Sequence, residues 1–188
     1  MMSLQRFVLV AICCVPLVSN HAPTAAQDQP AATPDGSAAT LVTRNRVQLN
    51  LAGAELIITA ARHKALAMNL KLNIAVVDDG GHLLAFARMD GARPASGYTA
   101  LTKATTAATF RQETGPAPKA APDVLLSLSL QNAAQASGGK LTTLKGGVPV
   151  VVDGQVIGAV GIGGGTGEQD AEVAKVGIQA LLDQLAAK

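Results

Sequence analysis

The sequence predicts a single α+β domain in which helices flank a mostly antiparallel sheet of four or five strands. Three observations support this prediction. Apolar residues make up 48% of the 188 residues, which is enough to form a hydrophobic core. Short β-rich segments occur in pairs joined by Asp-Gly turns, as in hairpins. Elsewhere, apolar residues recur every three to four positions, which is typical of amphipathic helices.

The first half of the domain is predicted to contain one long helix and one hairpin. The helix follows Thr43 as its N-cap and continues to Asn69, because its apolar residues keep the helical spacing. The hairpin pairs residues 72–77 with residues 82–89 around the turn sequence Asp-Asp-Gly-Gly.

The second half is predicted to hold three more helices and a second hairpin around Asp153-Gly154. Because its strands come in hairpin pairs and not in βαβ units, a dinucleotide-binding Rossmann fold is excluded. The predicted helices cover residues 98–112, 123–134 and 168–185, the hairpin strands cover 148–152 and 155–162, and the optional fifth strand covers 141–144.

Charge and aromatic content argue against nucleic-acid binding. Lys and Arg number 15 against 13 Asp and Glu, and the basic residues are dispersed along the chain. Such a sequence lacks the positive stripe that follows a phosphate backbone. An aromatic content of 2% is also too low for a base-stacking platform. We therefore expect no nucleic-acid partner.

Residues 1–26 are predicted to be a secretory signal peptide. Arg6 precedes an apolar run over residues 7–18, and small residues stand ahead of Gln27. The run is shorter than the ~20 residues of a membrane-spanning helix. Residues 27–40 are small, polar and Pro-containing, which indicates a flexible linker before a domain over 41–188. We expect a periplasmic or secreted protein that has no membrane contact after cleavage.

Both cysteines, Cys13 and Cys14, lie within the predicted signal peptide. Cleavage would leave a mature chain without thiols, which excludes cysteine catalysis and thiolate metal sites. Lipid attachment at either cysteine is disfavoured, because the preceding residue is Ile12 or Cys13 and not a small residue.

The residues that could carry chemistry are few. His63 and His82 are the imidazoles of the mature chain, and each could ligate haem iron or be an ordinary surface side chain. Their spacing predicts no dedicated metal site. The glycine-rich segment 161–167 lacks the Lys and Ser/Thr of a P-loop, so a strand-to-helix turn is the favoured interpretation. No G-x-S-x-G motif supports a hydrolase triad.

Several short motifs occur in one order along the domain. They are IAVVD and GGH within residues 74–82, F-x-RMDGA at 86–92, KA-x-TA at 103–107, GGVP at 146–149, and Asp153-Gly154 followed by Gly158, Gly161 and Gln169-Asp170. Together they resemble the GlcG/HbpS family of haem-binding and haem-degrading-like proteins. The resemblance covers residues 41–188. It implies a profilin-like antiparallel sheet with flanking helices, and assembly into homodimers or larger homo-oligomers.

The resemblance also implies a ligand pocket, although it assigns no catalytic residue. Gly163 departs from the family pattern, which usually has Ser there, so a hydroxyl contact is missing. His82 and His63 are the candidates for an axial haem ligand. Carried over by motif, the ligand-binding residues are expected to be His82, Arg88, Asp90, Lys103, Thr106, Gly161, Gly163, Gln169 and Asp170.

Three functions follow from these observations. The preferred one is an exported, oligomeric protein that binds haem or a related tetrapyrrole, with haem as its possible cofactor. The second is an enzyme that acts on a small anionic organic molecule at an oligomer-interface cleft, with Lys103 and Asp170 or Asp78 as its polar groups. The third is a non-catalytic oligomeric scaffold.

Overall fold

The computed structural model describes residues 46–115 and 124–187 of the chain. The predicted signal peptide (1–26) and linker (27–40) lie outside these residues. The elements are α1 (Leu51–Ala67), β1 (Asn73–Asp78), β2 (Leu83–Arg88), α2 (Ser96–Phe110), α3 (Val124–Ala136), β3 (Gly147–Val152), β4 (Gln155–Gly163) and α4 (Gly167–Ala186).

The four strands form one sheet in the order β2-β1-β4-β3, and each neighbouring pair is antiparallel. This confirms the predicted α+β class. Residues 141–144, the optional fifth strand, form no strand. Instead, the Thr142 backbone N–H donates a hydrogen bond of 2.9 Å to Thr106 Oγ1, which attaches this segment to α2.

The first helix begins later than predicted. Its N-cap is Asn50, whose side-chain oxygen accepts a hydrogen bond of 2.9 Å from the Gly53 N–H. The predicted cap, Thr43, lies outside the described residues. Residues 46–50 are not helical, and Arg46 forms an ion pair with Asp79. Apolar spacing continued upstream of the true cap, so it could not locate the helix start.

The sheet separates two apolar layers that differ in side-chain size. On one face, α1 and α4 pack with large aliphatic residues such as Ile57, Ile74 and Ile162. On the other face, α2 packs through alanines, including Ala104 against Ala75 and Ala159. Neither buried cluster contains an aromatic side chain, so aliphatic packing and close backbone approach hold the described domain together.

Glycines on β3 and β4 allow α2 to lie directly on the sheet backbone. An added Cβ at Gly161 would lie 2.1 Å from the Ala100 carbonyl oxygen, and one at Gly163 would lie 2.3 Å from that of Ser96. Gly147 makes the same approach to Lys103. A Ser at position 163 would therefore force α2 away from the sheet. No helix among the described residues is long and apolar enough to cross a membrane.

Candidate functional site

A cleft of about 580 Å³ lies where the first turns of α2 and α4 meet the loop that follows β4. Its lining includes a buried ion pair and several charged or hydroxyl side chains. These additional polar residues are Arg93, Ser96, Thr99, Lys145 and Glu168.

The buried ion pair joins Lys103 of α2 to Asp170 of α4. The distance from Lys103 Nζ to Asp170 Oδ2 is 2.7 Å, and the side chains are only 6% and 1% exposed. Lys103 Nζ also donates to the Ile162 carbonyl oxygen at 2.9 Å. Asp170 Oδ1 accepts a hydrogen bond of 3.0 Å from the Gly165 N–H. Burial raises the pKa of Asp170, and the hydrogen bond from Lys103 opposes that shift.

Arg93 lies on the loop before α2 and faces neutral acceptors. Its Nε donates to Ser96 Oγ at 3.1 Å, and its Nη2 donates to the Gly164 carbonyl oxygen at 3.5 Å. The Arg93 carbonyl oxygen accepts a hydrogen bond of 3.0 Å from the buried Asn73 side chain, which anchors the loop. Within the described ranges, Arg93 forms no ion pair with a carboxylate.

The start of α4 is defined by a capping box. Gln169 Oε1 accepts from the Thr166 N–H at 3.0 Å, and the Gln169 N–H donates to Thr166 Oγ1 at 3.3 Å. Glu168 lies in the first turn of α4. A hydrogen bond from its own backbone N–H and the neighbouring Lys145 lower the pKa of its carboxyl. The Gln169 side chain is therefore engaged in the helix cap.

The structure brings Lys103 and Asp170 together and distributes the other predicted site residues. Thr106 connects α2 to Thr142, while Gly161 and Gly163 contact the backbone of α2. Arg88 and Asp90 instead line a separate cavity of about 440 Å³, together with residues of α1.

The ligand-binding residues expected from the sequence did not include Arg93, Ser96, Thr99, Lys145 or Glu168, all of which line the cleft. The spacing of Ser96, Thr99 and Lys103 places these residues on one helix face. Ser96 and Thr99 could have been identified from this spacing. For Lys145 no periodic pattern existed, because it lies in an irregular segment.

His82 lies at the exposed turn between β1 and β2, away from the lining of the cleft. Asp78 Oδ1 accepts hydrogen bonds from the N–H groups of Gly80 and His82 at 2.9 and 2.8 Å. Asp78 Oδ2 lies 3.3 Å from His82 Nδ1, and the imidazole is 83% exposed. Thr105 of α2 donates to the Gly81 carbonyl oxygen at 3.1 Å, which anchors the turn.

Exposed apolar side chains follow His82 on the edge strand. Leu83 and Phe86 are paired with Val77 and Ala75, so they lie on the face of the sheet that α2 covers. Tyr98 of α2 is also exposed. We call His82, Leu83, Phe86 and Tyr98 the β2 surface. The other candidate imidazole, His63, is exposed on α1.

The described residues contain no group of three or more His, Cys, Asp or Glu side chains that could hold a metal ion.

Comparisons with known proteins agree with this architecture. A family described as haem degrading protein HbpS-like matches residues 49–179. Protein GlcG of Escherichia coli K12 is 45% identical over 119 residues, which cover 63% of this chain and 84% of GlcG.

Two solved structures share the fold. The Klebsiella pneumoniae protein ORFY has a TM-score of 0.64 and 30% identity, with coverage of 76% of this chain and 98% of ORFY. The PduOC:heme complex has a TM-score of 0.59 and 28% identity, with coverage of 71% of this chain and 95% of PduOC. Because the family match spans more than half of the sequence, this chain belongs to the HbpS-like family.

Proposed function

We propose that this protein binds haem or a related tetrapyrrole at the β2 surface, with His82 as the axial ligand of the iron. The family description and the PduOC:heme complex support haem as the ligand class. The observation that carries the assignment to His82 is its pairing with Asp78. A metal-binding imidazole commonly donates a hydrogen bond from its second ring N–H to a carboxylate, which orients the ring and makes it a stronger metal ligand.

The residues of the β2 surface fit a tetrapyrrole better than those of the cleft do. Haem needs a nitrogen, sulfur or phenolate ligand for iron and an apolar area against the macrocycle. Leu83 and Phe86 provide exposed apolar area on the strand that begins beside His82, and the exposed Tyr98 lies on α2, which covers the same face of the sheet. The residues that line the cleft include no His, Met, Cys or Tyr. Bound haem would supply a redox-active iron centre.

The same proposal includes export and self-association. The signal-peptide pattern of residues 1–26 supports export. A planar ligand on an exposed surface has one open face, which a second copy of the chain could cover. β2 is also an edge strand with one side unpaired within the described sheet. N-terminal sequencing of the exported protein and sedimentation with and without hemin test these two parts.

The central experiment is a hemin titration of the purified protein, followed by the Soret band. We expect a saturable shift at micromolar protein. The His82→Ala variant should bind hemin at least about tenfold more weakly, since it loses the iron ligand. His63→Ala is the matched control, because it removes an exposed imidazole outside the β2 surface, and it should bind as wild type does. An unsaturable shift, or equal affinity in both variants, would refute the assignment.

A further inference from the structure

The cleft between α2 and α4 contains binding chemistry that haem at the β2 surface does not use. Its volume of about 580 Å³ lies within the range of about 300–1,000 Å³ that is usual for small-molecule sites. Three cationic side chains, Arg93, Lys103 and Lys145, line it together with two acidic ones, Glu168 and Asp170. The lining therefore carries one excess positive charge.

Lys103 presents an unused donor at this cleft. An ammonium group has three N–H donors. Two are taken by Asp170 and by the Ile162 carbonyl oxygen, and in the described part of the chain the third has no acceptor. The Lys103 side chain is only 6% exposed. A buried donor without a partner is unfavourable, so a ligand oxygen in the cleft would be stabilised there.

Arg93 presents further unused donors beside Lys103. Two of its five N–H groups bond to Ser96 and Gly164, and among the described residues no carboxylate neutralises its charge. Arg93, Lys103 and Asp170 line the same cleft, and the charge of Arg93 opposes the rise in the pKa of Asp170 that burial causes. A guanidinium held in this way can bind a carboxylate through two parallel hydrogen bonds.

The remaining lining residues restrict the class of anion. Glu168 and Asp170 would repel a doubly charged phosphate. Leu144 and Ala95 provide apolar contacts for a short carbon chain. We propose that this cleft is a binding site for a small organic monocarboxylate, whose carboxylate bonds to Arg93 and to the free N–H of Lys103. The site shares no residue with the β2 surface, so it does not depend on the haem proposal.

Calorimetric titration with sodium butyrate tests the proposal, with butyramide as the neutral isostere and inorganic phosphate as the competing anion. We expect saturable butyrate binding and much weaker binding of the other two ligands. Arg93→Gln should lower butyrate affinity by about tenfold or more, because charge-assisted hydrogen bonds are lost. Arg62→Gln is the matched control, since Arg62 is exposed on α1 outside the cleft, and it should bind butyrate as wild type does.

Two further measurements keep the result unambiguous. In wild-type protein, butyrate but not butyramide should shift the amide resonances of Gly164 and Gly165, a test that needs no variant to fold. Arg93→Gln should still bind hemin, which separates this site from the haem proposal. The proposal is overturned if acetate, propionate, butyrate and hexanoate all fail to saturate, if butyramide or phosphate binds as tightly as butyrate, or if Arg93→Gln keeps wild-type affinity.

Discussion

At the scale of individual residues, the Lys103–Asp170 ion pair has the largest expected effect on stability. Removing one partner of a buried ion pair leaves the other charge buried without compensation. We expect Lys103→Met to lower the free energy of unfolding by about 3–5 kcal/mol, measured by urea denaturation and far-UV circular dichroism. Adding Asp170→Asn to that variant should recover part of the loss, because the isolated carboxylate is then absent.

The control is the Lys64–Glu172 pair, which has the same 2.7 Å distance but more exposed side chains. Solvent weakens such pairs, so Lys64→Met should cost no more than about 1 kcal/mol. Equal losses in Lys103→Met and Lys64→Met would mean that burial does not set the strength of the pair.

At the scale of individual residues, the sequence predicted two of the side chains that line the cleft. Lys103 and Asp170 could be identified because both lie in motifs of the resemblance, and they meet in the structure. The same transfer also selected Thr106 and Gln169, which the structure engages in hydrogen bonds to backbone groups. A motif marks positions that a fold requires as well as positions that touch a ligand. Separating the two roles needs three-dimensional contacts.

At the scale of elements, the placement of α2 on the sheet determines the shape of the cleft. Gly161 is the tightest of these contacts, since a Cβ there would lie 2.1 Å from Ala100 O and 2.4 Å from Ala104 N. We expect Gly161→Ala to lower the free energy of unfolding by about 1–3 kcal/mol, as overpacking of a core does. It should also weaken butyrate binding, because α2 carries Ser96, Thr99 and Lys103.

Gly53→Ala in α1 provides the comparison. Its added methyl group would approach the flexible end of Leu49, and alanine favours a helix, so this variant should be neutral or slightly stabilised. If Gly161→Ala were equally harmless, backbone contact would not hold α2 in place.

Element types were predicted better than element ends. Both hairpins were visible because Asp-Gly turns and the short β-rich apolar segments beside them are local signals. The start of α1 and the missing strand at 141–144 were not predictable in this way. Asn50 competes with other polar residues as a cap, and the Thr142 N–H donates its hydrogen bond to Thr106, which is distant in sequence.

At the scale of the whole molecule, the α+β class followed from strands that occur in hairpin pairs. The difference in side-chain size between the two faces of the sheet could not be predicted from the sequence pattern. Alanine is compatible with both a surface and a tightly packed interface. The buried core of the described domain contains no aromatic side chain. The largest fully buried side chains are aliphatic, apart from the polar Asn73 and Asp170.

The acid response of the whole protein should also depend on Asp170. Burial raises the pKa of Asp170 above its unfolded value of 3.8, so the folded state takes up this proton at a higher pH than the unfolded state does. Its protonation therefore adds to the free energy of unfolding as pH falls through the raised pKa. This contribution is complete below 3.8 and is lost as pH rises.

We therefore expect wild type to lose less stability between about pH 7 and pH 4 than Asp170→Asn, which cannot take up this proton. Urea denaturation at several pH values measures the difference. Asp153→Asn, at an exposed turn, is the control and should follow the wild-type pH dependence. Parallel curves for wild type and Asp170→Asn would contradict this prediction, because they would mean that the ion pair with Lys103 cancels the effect of burial on the pKa of this carboxyl.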